Sequence, residues 1–66
     1  VLAWDGRSLW AGDMNTALIY QVDPRDGSII RSFTAPGGLS IALAWDCRSL
    51  WHVSGPPHTL YQLEVV

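Results

Sequence analysis

Apolar residues in this chain fall into seven short runs, and clusters of Gly, Pro, Asp, Asn and Ser separate them about every ten residues. Residues 1–5 alternate around Leu2 and Trp4 and predict a first strand. Asp5-Gly6-Arg7-Ser8 predicts a turn, with Gly6 available for a positive φ. A second strand over 9–12 carries Trp10. After the polar Asp13-Met14-Asn15-Thr16, a third strand over 17–23 places Leu18, Tyr20 and Val22 on one face and Ile19 on the other. Pro24-Arg25-Asp26-Gly27 is the clearest turn, because Pro24 presets φ and Gly27 closes it. A fourth strand follows over 28–34, and Ala35-Pro36-Gly37-Gly38 connects onward. Three further strands are expected over 41–46, 50–53 and 59–65. No segment holds a 3.6-residue period for two turns, so no helix is expected and the class is all-β.

The runs are not independent. Leu2-Ala3-Trp4-Asp5-Gly6-Arg7-Ser8-Leu9-Trp10 returns as Leu43-Ala44-Trp45-Asp46-Cys47-Arg48-Ser49-Leu50-Trp51, and Tyr20-Gln21 returns as Tyr61-Gln62. Trp4 to Trp45, Trp10 to Trp51 and Tyr20 to Tyr61 all span 41 residues, without a gap. A period near 40 with short strands predicts β-propeller blades. Residues 1–38 read as one four-stranded blade. Residues 39–66 read as a second blade with three strands, because nothing there corresponds to the strand over 28–34. Cys47 stands where the first copy has Gly6, and Ser54-Gly55-Pro56-Pro57-His58 replaces the loop around Asp13.

A chain of 66 residues buries only about 60% of the surface its unfolded form exposes. Ordering it costs roughly 100 kcal/mol, which apolar burial barely offsets. One cysteine permits no intrachain disulfide. The expectation is a unit completed by further copies of itself or by the remaining blades of a longer chain, with a start inside a repeat that reads as a truncation. Net charge is −2, with four Arg and no Lys, so no basic stripe marks a nucleic-acid partner. No apolar run reaches the length of a membrane-spanning helix, so no membrane partner is expected.

The repeated residues carry the candidate chemistry. Trp4, Trp10, Trp45 and Trp51 read as rings filling the space between neighbouring blades, since packing positions recur with the blade. The sharper alternative is a sugar-stacking platform at the propeller's mouth. Asp5 and Asp46 read as caps of their own turns, accepting backbone N–H groups, against a cation-binding alternative. Tyr20 and Tyr61 complete the structural positions. Arg7 and Arg48 read as solvated. His52 and His58 match no metal spacing. Cys47 reads as a bystander thiol that carries strain if its turn needs φ > 0. No phosphate loop, Ser-His-Asp order or paired-carboxylate motif is present, so no catalytic, cofactor or metal residue is assigned and no cofactor is expected.

Ala3-Trp4-Asp5-Gly6, Ser8-Leu9-Trp10, Ile19-Tyr20-Gln21-Val22-Asp23-Pro24 and Asp26-Gly27-Ser28-Ile29 together resemble bacterial propeller repeats of the NHL and YVTN type and the streptogramin-lyase-like group. The resemblance spans essentially the whole chain and implies about 1.7 blades. It departs at Cys47, in the Pro-rich loop and in the missing outer strand. The Gly-His and terminal Trp-Asp of WD40 repeats are missing. The resemblance implies a bacterial, extracytoplasmic setting, while the residues leave the compartment open. It is specific for fold and weak for activity, because such blades serve enzymes, sensors and binding proteins. A non-catalytic structural and interaction scaffold is the first expectation. The alternatives are a fragment of a lyase-like or cyclotransferase-like enzyme, with catalytic residues on other blades, and a lectin-like propeller. A lyase-like enzyme needs a catalytic His, and neither His52 nor His58 matches that role.

Overall fold

A computed structural model describes residues 1–64. Seven strands form two antiparallel sheets, with no helix among the described residues. The first sheet runs β1 (Leu2–Trp4), β2 (Leu9–Gly12), β3 (Leu18–Val22) and β4 (Ile29–Thr34), in that order. The second holds β5 (Ser40–Trp45), β6 (Ser49–Ser54) and β7 (Leu60–Glu64). Within each sheet every connection joins neighbouring strands, and residues 35–39 lead from the first sheet to the second. The observed strands differ from the expected ones by a residue or two at their ends. Ser40, Ser49 and Ser54 join the second sheet because Ser40 pairs with Ser54 and Ser49 with Glu64. The last expected strand residue, Val65, lies outside the described residues.

An aspartate opens each of four turns. Asp5, Asp13, Asp23 and Asp46 all accept the backbone N–H two residues on, from Arg7, Asn15, Arg25 and Arg48, at 2.7–2.9 Å. The carboxylate thereby stands in for a backbone acceptor, which favours chain reversal over a continued strand. The turns after β1 and β5 close alike, Asp5 N–H to the Ser8 carbonyl and Asp46 N–H to the Ser49 carbonyl, both at 3.2 Å.

Those two turns place Gly6 at φ 94° and Cys47 at φ 77°. The second copy therefore keeps the backbone that glycine suits and strains a cysteine into it. A non-glycine residue there costs roughly 1–3 kcal/mol, partly offset by the smaller unfolded-state entropy of cysteine. Cys47→Gly is expected to stabilise the chain by about 1 kcal/mol, and Gly6→Ala to destabilise it by a similar amount. Urea midpoints measure both, and equal signs would contradict the shared turn geometry.

The core lies between the sheets. Trp10, Ile19, Ala35 and Leu50 are buried, with Ala3, Phe33, Leu43, Trp45 and Leu63 packed against them. Register explains the selection, because directly paired residues share a face. Ala3 pairs with Trp10, and Ile19 pairs with Phe33, so all four point one way. Trp45 pairs with Leu50, and Leu50 with Leu63, so these point back. Gly12 packs closely on the second sheet: a Cβ there would fall 2.6 Å from the Ser40 hydroxyl.

Candidate functional site

The repeated residues assemble into one polar network that occurs twice. In the first sheet, the Asp5 carboxylate accepts the N–H groups of Arg7 (2.8 Å) and Ser8 (2.7 Å), the Ser8 hydroxyl (3.0 Å) and the Trp10 indole N–H (2.9 Å). The Gln21 amide then donates to Ser8 Oγ at 2.7 Å. In the second sheet, Asp46 accepts the N–H groups of Arg48 (2.8 Å) and Ser49 (2.7 Å) and the Trp51 indole (2.7 Å). There the Gln62 amide donates to Ser49 Oγ at 2.9 Å. Each network ties an inner turn to the second and third strands of its sheet. Four donors on Asp5 leave that carboxylate engaged by the protein itself, which is the turn-capping role rather than a cation ligand.

The electrostatics follow from the donors. At Asp5, burial works against ionisation, but hydrogen bonds from Ser8, Trp10 and Arg7 outweigh it and lower its pKa from 3.8 to about 2. The Trp51 indole, then the N–H groups of Ser49 and Arg48, hold Asp46 below its usual range. A carboxyl depressed in the folded state stabilises the fold above its unfolded pKa. That contribution disappears as pH falls from about 3.8 towards about 2. After allowance for solvent screening it is worth about 1–2 kcal/mol at neutral pH. Acid titration of the urea midpoint is expected to show this loss, and Asp5→Asn to flatten it. An unchanged acid limb in that variant would contradict the assignment.

The tryptophans do not share one environment. Trp10 is fully buried, edge-on to Phe33 (centroids 6.3 Å, 60° between planes), with the Arg31 guanidinium 5.5 Å from the ring centre. Arg31 also donates to the Gln21 side-chain oxygen at 2.7 Å. Trp45 is half-buried against the core, and Trp51 is half-buried on the far face of its sheet. Trp4 departs from the expected ring packing: it is 52% exposed, because no sheet lies on its side of β1.

His52, which matches no metal spacing in the sequence, ties the connector to the second sheet. It is buried, with Nδ1 3.0 Å from Ser40 Oγ and Nε2 2.8 Å from the Pro36 carbonyl oxygen. A carbonyl only accepts, so Nε2 donates to Pro36, and the Ser40 hydroxyl, able to donate or accept, pairs with Nδ1. Tyr61 stacks on the ring at 5.6 Å and 19°, and its own ring edge sits against Gly37. Tyr20 is half-buried on the first sheet's outward face. His58, Arg7, Arg48 and the free Cys47 are exposed. Among the described residues, no three His, Cys, Asp or Glu side chains converge as a metal site would require. A groove of about 580 Å³ opens beside the first network between Arg7, Asp23 and Arg25. Arg25 is bound to Asp23 at 3.0 Å there.

Sequence reasoning missed Ser8, Ser49, Gln21 and Gln62 as network members. Their signal was present, since both pairs recur at the 41-residue spacing. Comparison with protein-family models, curated proteins and solved structures finds no match to the chain.

Proposed function

We propose that this chain is a non-catalytic pair of propeller-type repeats, serving as a structural and interaction scaffold completed by further copies or by further repeats. The twice-built Asp–Ser–Trp–Gln network carries the reading. The same donors and acceptors recur at the same spacing in two successive sheets, Asp5 to Gln21 and Asp46 to Gln62. Side chains that would otherwise be candidates for chemistry are consumed in holding turns and strands together. His52 is engaged at both ring nitrogens. In the enzyme reading, catalytic groups would have to come from other repeats.

The exposed ring of Trp4 favours a second reading, a carbohydrate-stacking surface. Fluorescence titration with mono- and disaccharides separates the two. The scaffold reading predicts unchanged tryptophan emission across the panel. Saturable quenching that Trp4→Ala removes would overturn it in favour of the sugar platform.

A further inference from the structure

We infer that the outward face of the first sheet docks on the outward face of the second sheet in another copy of this chain, head to tail. The inference rests on the repeat reading. Its basis is an inversion of burial between equivalent positions. Leu2 is 67% exposed, whereas Leu43, 41 residues on, packs against the core. Trp4 is exposed, whereas Trp45 packs against the core. On the opposite faces the order reverses. Ile19 is fully buried while its equivalent Leu60 is 61% exposed, and Trp10 is fully buried while Trp51 is only half-covered.

Register gives the inversion one cause. Leu2 pairs with Ala11, Ala11 with Tyr20, and Trp4 with Leu9, which makes a single outward face on the first sheet. Their equivalents Leu43, His52, Tyr61, Trp45 and Leu50 form the inward face of the second sheet. Likewise Ala44, Trp51 and Gln62 form the second sheet's outward face, and they correspond to the inward Ala3, Trp10 and Gln21. The two bare faces are thus the repeat equivalents of the two surfaces that already meet inside the chain, with Val53 in place of Gly12 and no counterpart of β4 in the second sheet. What fits one is already seen fitting the other's equivalent. Such a contact joins different surfaces on the two partners, so it is heterologous and propagates until the rotation closes a ring. The inner contact also names its central residues: an exposed Leu2–Trp4 strip covering Trp51 and Leu60, where Leu43 and Trp45 meet the core formed by Trp10 and Ile19.

The test uses two full-length variants, Leu2→Asp and Leu60→Asp, each changing a side chain that is exposed in the single chain. The wild-type sedimenting mass is expected to rise with concentration. Each variant alone is expected to associate about a hundredfold more weakly, because every contact then buries an unpaired carboxylate at its centre. An equimolar mixture is expected to form a two-chain species and stop there, since one intact contact remains and the other is doubly blocked. Self-association of Leu60→Asp alone would show like faces pairing and overturn the inference. So would a mixture that stays monomeric while far-UV circular dichroism reports both chains folded. If either aspartate unfolds the chain, Trp4→Arg and Ala44→Glu repeat the experiment on the same two faces. Sugar quenching would instead remove the scaffold reading, so the two fail by different readouts.

Discussion

Trp10→Ala is expected to cost roughly 3–5 kcal/mol of stability, and Trp51→Ala less than half as much in dilute solution. Both indoles donate to an aspartate five residues earlier, at 2.9 and 2.7 Å, so the hydrogen bond does not distinguish them. Burial does. Trp10 has no exposed surface, touches Phe33 edge-on and lies beneath Arg31. Its removal opens a cavity at the centre of the core and leaves Asp5 short of a donor. Trp51 is covered on one side only. Urea unfolding followed by circular dichroism measures both. The gap should narrow as protein concentration rises and another copy covers Trp51. Equal losses at every concentration would contradict the burial difference.

Gly12→Val is expected to cost about 3 kcal/mol, at the upper end of core overpacking. The second repeat has Val53 at this position, so repeat averaging alone would count the change as harmless. The structure reverses that expectation. A Cβ at Gly12 would stand 2.6 Å from the Ser40 Oγ and 2.8 Å from its Cβ. Ser40 is fully buried and is held by His52, so it cannot swing aside without breaking that hydrogen bond. The terminal Val1 side chain, 2.7 Å away, is the freer neighbour. A thermal midpoint unchanged by Gly12→Val would show that the sheets do not approach here as described.

The strand count and the turns were legible in the sequence because each apolar run is short, four reversals begin with an aspartate and the other two connections are marked by Pro and Gly. The shared register of the two copies was legible in the unbroken spacing. What was not legible depended on register across strands. Asp5 and Trp10 are five residues apart, a spacing with no meaning in an isolated strand or helix. It acquires one only because Ala3 pairs with Trp10, which returns the indole to the turn that Asp5 opens. The role of His52 was open in the sequence because its two partners, Pro36 and Ser40, belong to the connector and another strand. The fate of the tryptophans was hidden for a different reason. Trp4 and Trp45 are equivalent in sequence and differ only in whether a sheet lies on their side. Local pattern predicts which residues share a face, whereas burial depends on what that face meets.

Sedimentation of the isolated 66-residue chain across a wide concentration range separates a ring of copies from a self-sufficient monomer. Two bare faces, one carrying Leu2 and Trp4 and the other Trp51 and Leu60, expose the kind of large apolar side chains that mark interaction surfaces. A propeller needs at least about four sheets to close. Closed particles built from whole copies of the 7.3 kDa chain are expected, with three copies and six sheets the favoured ring. A compact monomer that unfolds in one cooperative step at every concentration would contradict that expectation, because both faces would then be stable without a partner.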